Sequence, residues 1–245
     1  MKTSHKLIGA ALIAAAGVAV VVPSATKAAP GDYTGKGKIV FTKNNTGTTN
    51  TPPGTTGPVI PGPVNSADED LKIIFVSHLD FKQNELLTHG NLKTYDADVY
   101  KTNEGADGSG AAISMPNYVK FQDHRTDGLE NHYTIKAEIS KQFTHTSGHV
   151  MANAKLNYSN AKLVSATNGA TMPTGAIANF ALTYGAESTV LTNKEAGKGF
   201  GTHDIQFGDL GTNADKSVQL EIPGAVILRD GEYQAEVTWK IEDAR

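Results

Sequence analysis

The chain has 245 residues, 39% of them hydrophobic, which is enough for one large domain or two small ones with a sizeable core. It has no cysteine, which excludes disulfides, thiolate metal sites, cysteine nucleophiles and a cysteine-linked lipid anchor. The formal net charge of −3 gives no general attraction to nucleic acid or other polyanions.

The chain starts with Lys2, His5 and Lys6, then an almost wholly apolar stretch over residues 7–22, then the small-residue run Pro23-Ser24-Ala25-Thr26-Lys27-Ala28-Ala29. This is the three-part layout of a secretory signal peptide over residues 1–28, cut after Ala28 or Ala29. The apolar stretch is short for a membrane span, which needs ~20 residues. Cleavage would remove Lys2, Lys6 and Lys27 and no acid, taking the net charge from −3 to −6. At the other end, Trp239 to Arg245 carry no apolar tail, so the expectation is a mature chain with neither a sorting signal nor a membrane anchor.

Residues 29–42 contain Ile39-Val40-Phe41, a β-branched and aromatic run that predicts a short strand. Residues 43–67 are rich in Thr, Pro, Gly and Asn and lack periodic apolar positions, which predicts a flexible linker.

Residues 68–245 predict one β domain. Tyr133, Ile135, Ala137 and Ile139 alternate with polar residues, as do Val218, Leu220 and Ile222, and again Tyr233, Ala235, Val237, Trp239 and Ile241. Period-two alternation marks a strand with one buried face. The run at 71–75 is continuous and predicts a strand covered on both faces; further strands are expected at 118–121, 155–158 and 180–183. Turn-forming stretches such as Arg229-Asp230-Gly231 fall between them, and residues 83–87 could form one helical turn. The fold class is therefore all-β, an antiparallel-rich β-sandwich-like domain with few or no helices.

Trp239 is the only tryptophan. It shares a strand face with Tyr233, Ala235, Val237 and Ile241, while Gln234, Glu236, Thr238, Lys240 and Glu242 occupy the other. The apolar face reads as core, with Trp239 as its anchor. Stacking of Trp239 and Tyr133 on sugars would instead require that face to be open.

These residues resemble the C-terminal signature of the WxL domain of Gram-positive surface proteins, Tyr-x-x-x-Leu-Thr-Trp-x-Leu. The chain has Tyr233, Val237, Thr238, Trp239 and Ile241 at that spacing. The family's earlier Trp-x-Leu is matched by Tyr133 and Ile135. Residues 116–125, Leu79-Asp80-Phe81 and the glycine-rich stretch at 196–201 with Phe207-Gly208 are similar too. The departures are Tyr133 for tryptophan, Ile135 and Ile241 for leucine, the lack of a proline often found after the last motif, and His203 where many relatives carry an aromatic residue. The resemblance implies non-covalent association with the cell wall, chiefly peptidoglycan, at the cell surface. It also implies a co-encoded, membrane-anchored surface protein as a partner.

Other chemistry is weakly supported. His145 and His149 have a spacing that holds a metal on a helix, but Ser147 and Gly148 between them predict a loop. Asp68-Glu69-Asp70 and Asp96-Ala97-Asp98 do not follow a calcium-loop pattern, and Gly108-Ser109-Gly110 is not a nucleophile elbow. No motif singles out the carboxylate pair or metal-bound water that wall hydrolysis needs. The expectation is a non-catalytic protein without metal or cofactor. Tyr133, Ile135, Tyr233, Thr238, Trp239 and Ile241 are then binding-motif residues that act through the fold. The competing readings are an assembly module for the membrane-anchored partner and a wall hydrolase.

Overall fold

The computed structural model describes residues 49–62, 64–86, 90–127, 129–166 and 169–245. The expected signal peptide, the strand at Ile39-Val40-Phe41 and the start of the Thr/Pro-rich stretch lie outside the described residues.

The alternating runs form strands where they were expected. In chain order the strands are β1 (Leu71–Val76), β2 (Lys93–Asp96), β3 (Tyr100–Asn103), β4 (Ala112–Met115), β5 (Tyr118–Asp123), β6 (Tyr133–His145) and β7 (Lys155–Tyr158). They continue with β8 (Ala161–Val164), β9 (Phe180–Leu182), β10 (Ser188–Asn193), β11 (Gly201–Phe207), β12 (Val218–Ile222) and β13 (Tyr233–Asp243). Among the described residues, helical ones are confined to two short 3-10 turns, Gly169–Thr171 and Ala214–Lys216. The strands form sheets ordered β1-β5-β11-β8, β10-β6-β13 and β2-β12-β7-β9, with β3-β4 as a hairpin, and their strand pairings are antiparallel. The domain is thus all-β, with antiparallel sheets packed on a shared core of Val119, Phe121, Tyr133, Ile135, Leu156, Leu191, Ile205, Phe207 and Leu220, among others.

β1 is covered on both faces, and a bulge accounts for how. Its register on β5 shifts between Ile73 and Phe75. A bulge exchanges the faces that odd and even residues present. Leu71, Ile73 and Val76 therefore pack on the main core, while Ile74 and Phe75 join Ile60, Met115 and Tyr118 in a second cluster.

In that second cluster, residues 49–62 of the stretch expected to be a flexible linker are docked on the domain. Asn50 and Ile60 are buried. Tyr118 Oη donates to Asn50 Oδ1 at 2.7 Å, and Gly54 N–H donates to Asp204 Oδ2 at 3.0 Å. The segment covers the outer face of β5 and β11, where Lys120 and Asp204 form a buried ion pair at 2.7 Å. A buried pair of this kind needs its remaining polar atoms satisfied, and the segment's backbone helps to do so.

The helical turn expected at 83–87 is absent from its described residues, 83–86. Lys82 N–H donates to Asp80 Oδ1, Lys82 has a φ of 61°, and Asn84 Nδ2 donates to the Phe81 carbonyl. Such local side-chain-to-backbone bonds compete with the helical ladder.

Candidate functional site

The two motif stretches are neighbours in space. β6 pairs with β13 so that Ile135 lies opposite Ile241 and Ala137 opposite Trp239. Their shared inner face meets an aromatic cluster. Tyr158 and Phe180 stack at 4.8 Å, and Trp239 stands edge-on to them at 5.9 and 6.2 Å. Trp239 Nε1 is shut off from solvent and has no hydrogen-bond partner among the described residues. Its ring is held there by packing on Tyr158, Phe180 and Phe207.

Tyr133 is wholly buried against Phe121, with its Oη donating to the Gly199 carbonyl at 3.3 Å. The glycine-rich stretch is therefore folded onto the first motif. Gly199 has a φ of 96°, and a Cβ there would lie 2.3 Å from Asn193 Nδ2 and 2.9 Å from the Tyr133 ring. Only glycine fits that position. His203 occupies the same core, 5.8 Å from Phe121, and its Nε2–H donates to the Phe200 carbonyl at 3.1 Å. Burial pushes its pKa down to about 4.

Tyr233 and Thr238 hold other parts together. The Tyr233 ring lies 5.0 Å from His145, and its Oη accepts the Arg229 backbone N–H at 2.9 Å. Thr238 Oγ1 donates to Ser140 Oγ at 2.8 Å on the outer face. That face is a charged lattice: Lys136 pairs with Glu242 and Glu187, Lys240 with Glu138 and Glu187, and Lys141 with Glu236. At the end of β13, Arg125 bridges Asp123 and Asp243, and Arg245 bridges Asp243 and Asp127. The two arginines hold the Asp243 carboxyl far below its usual range.

The inner face of β13 is less closed than that of β6. Tyr133, Ile135, Ala137 and Ile139 are at most 1% exposed, whereas Tyr233, Ala235, Val237, Trp239 and Ile241 are only half-buried. A cleft of about 840 Å³ opens there, between the β6–β13 pair and the β2-β12-β7 strands, with residues 76–86 along one side. Phe81, Tyr95, Tyr158, Tyr233 and Trp239 give it aromatic walls, and Asp80, Lys82, Glu85, Arg229 and Glu232 lie around them. The alternation pattern treats the Trp239 face as closed core, because it reports only that one face avoids water. It does not report how completely the opposite sheet covers that face. The stretch Leu79-Asp80-Phe81 was visible as a resemblance, but its place in the cleft wall had no signal in the sequence.

His145 and His149 do not form a metal pair. His145 Nδ1 accepts the Ser147 backbone N–H, which leaves its Nε2–H to donate to the Asp230 carbonyl. His149 Nε2–H donates to the Ile227 carbonyl at 2.6 Å. Both histidines fasten the β12–β13 connection. Asp98 is engaged by Lys101 and Lys82, and among the described residues no three His, Asp or Glu side chains gather around a point that could hold a metal ion.

A family model described as "WxL domain surface cell wall-binding" matches residues 28–244. No curated protein and no solved structure matches the chain. The match takes in both motif strands, the glycine-rich stretch folded onto Tyr133 and the docked Thr/Pro-rich segment as one unit, and on that extent the chain belongs to the WxL family of cell wall-binding surface domains.

Proposed function

We propose that this chain is a secreted, non-catalytic surface protein that holds to the Gram-positive cell wall without a covalent bond, with peptidoglycan as the polymer bound. The observation that carries the reading is the family match over residues 28–244, whose description is wall binding at the surface. Tyr133, Ile135, Thr238 and Ile241 serve binding by building the fold. Tyr233 and Trp239 build it too and also border the open cleft.

Local electrostatics support a role without chemistry. A general acid needs a carboxyl whose pKa is raised and which can reach a substrate. Asp98, Asp127, Glu187 and Asp243 are all held low by cationic partners, Lys101, Arg245, Lys240 and Arg245 respectively. Burial raises Asp204, but it is enclosed with Lys120 on the far face of its sheet.

A second reading is favoured by one observation. Among the described residues β13 is an edge strand of eleven residues, and a sheet edge offers backbone groups to an added strand. On this reading the chain assembles with a membrane-anchored neighbour and wall contact is secondary.

The test is a three-arm pull-down of the mature chain with whole wall, wall stripped of teichoic acid, and the candidate partner. Retention on both wall preparations is the expected result. Retention on the partner alone would favour assembly, and recovery in every supernatant would overturn both readings. A gel containing wall material should show no clearing.

A further inference from the structure

We infer that the cleft along β13 is a carbohydrate site that takes a neutral pyranose chain, with sugar faces lying on Phe81, Tyr233 and Trp239. The inference rests on the wall-binding reading and gives it a contact surface.

The first support is the asymmetry between paired strands. β6 and β13 present the same face of the same sheet, yet the β6 residues are sealed and the β13 residues stay half-buried. Core packing accounts for the closed half and leaves the open half unexplained. The opening of about 840 Å³ lies in the size range of small-molecule sites, ~300–1,000 Å³.

The second support is that the aromatic walls are held from behind. Phe81 meets buried Phe143 edge-on at 6.1 Å. Trp239 is backed by Tyr158, Phe180 and Phe207. Tyr233 is flanked by His145 and His149 and pinned by the Arg229 N–H. Rings fixed in place lose little freedom when a ligand arrives, so stacking on them is efficient.

The third support is charge. Asp80, Glu85 and Glu232 line the cleft against Lys82 and Arg229, and Lys82 is already paired with Asp98. The balance is acidic. Without a cationic excess the lining gives a polyphosphate such as teichoic acid no attraction, and it suits a neutral chain whose hydroxyls can donate to carboxylates. Among wall polymers this selects the glycan strand.

Trp239 is the only tryptophan, so its emission reports on this site alone. The full mature chain is titrated separately with the N-acetylglucosamine trimer, with poly(glycerol phosphate) and with a peptidoglycan stem peptide. The trimer should change Trp239 emission saturably and protect it from iodide quenching. Phe81→Leu keeps an apolar side chain of similar size but removes the ring, and it should weaken the trimer at least fivefold. Lys136→Ala, on the opposite face, should leave it unchanged. No response to the trimer, a response only to the phosphate polymer or the peptide, or wild-type affinity in folded Phe81→Leu would each overturn the inference. If wall retention persists while the trimer gives no response, the site assignment falls and the wall reading stands. If the trimer binds while the protein fails to sediment with wall, the wall reading falls.

Discussion

His203 ties the fold to pH. It has no exposed surface, and burial lowers its pKa from 6.5 to about 4. The fold holds the neutral ring, while the unfolded chain takes up a proton readily. Its contribution to stability is therefore full above about pH 6.5, declines as pH falls, and is gone below about pH 4. The loss should be of the order of 3 kcal/mol, at about 1.4 kcal/mol for each pH unit between those limits. Urea midpoints measured across this range should fall accordingly, and His203→Phe should flatten the fall. An equally steep decline in the variant would assign the effect elsewhere. Gly199 has a stricter requirement. Gly199→Ala combines a φ of 96° with a backbone oxygen, that of Asn131, 2.7 Å from the new Cβ. It should cost more than about 2 kcal/mol in urea unfolding and expose Tyr133, because the glycine-rich stretch would have to lift.

At the level of strands, the alternation at 133–139, 218–222 and 233–241 was sufficient, because each of those strands puts one face on the core and one on solvent or a neighbouring polar layer. The adjacency of β6 and β13 was not readable that way. Alternation says which face is apolar, and nothing in it says which strand lies alongside. The docking of residues 49–62 left no periodic trace either. Beside the buried apolar side chain of Ile60, its anchors are polar contacts to Tyr118 and Asp204, separated from Asn50 and Gly54 by 68 and 150 positions. A Thr/Pro-rich stretch with such distant partners looks the same in sequence as one with none. The docking predicts a specific pattern of stability. Asp204→Ala strands Lys120 in a buried site and should cost about 3–5 kcal/mol. The double change Asp204→Leu with Lys120→Met should recover most of that, since an apolar pair needs no partner charge. Equal losses in the single and double variants, measured by urea unfolding, would mean that the segment and not the ion pair supplies the stability.

Over the whole molecule, charge and apolar surface are separated between the two faces of one sheet. The outer face of β6 and β13 is a lattice of paired lysines and glutamates, and such surface pairs add little stability each while keeping the face soluble. The inner face closes around the core at β6 and opens into the aromatic cleft at β13. A domain arranged this way can be held to a polymer by one cleft without exposing its core. The proposed retention on the wall by non-covalent contact with peptidoglycan can be measured directly. Its most direct measurement is the sedimentation of purified mature protein with peptidoglycan freed of teichoic acid, over a range of protein concentration and salt. The expected result is a saturable bound fraction that survives high salt and is released by denaturant. Protein that stays in the supernatant at low salt, or that denaturant cannot release, would contradict it.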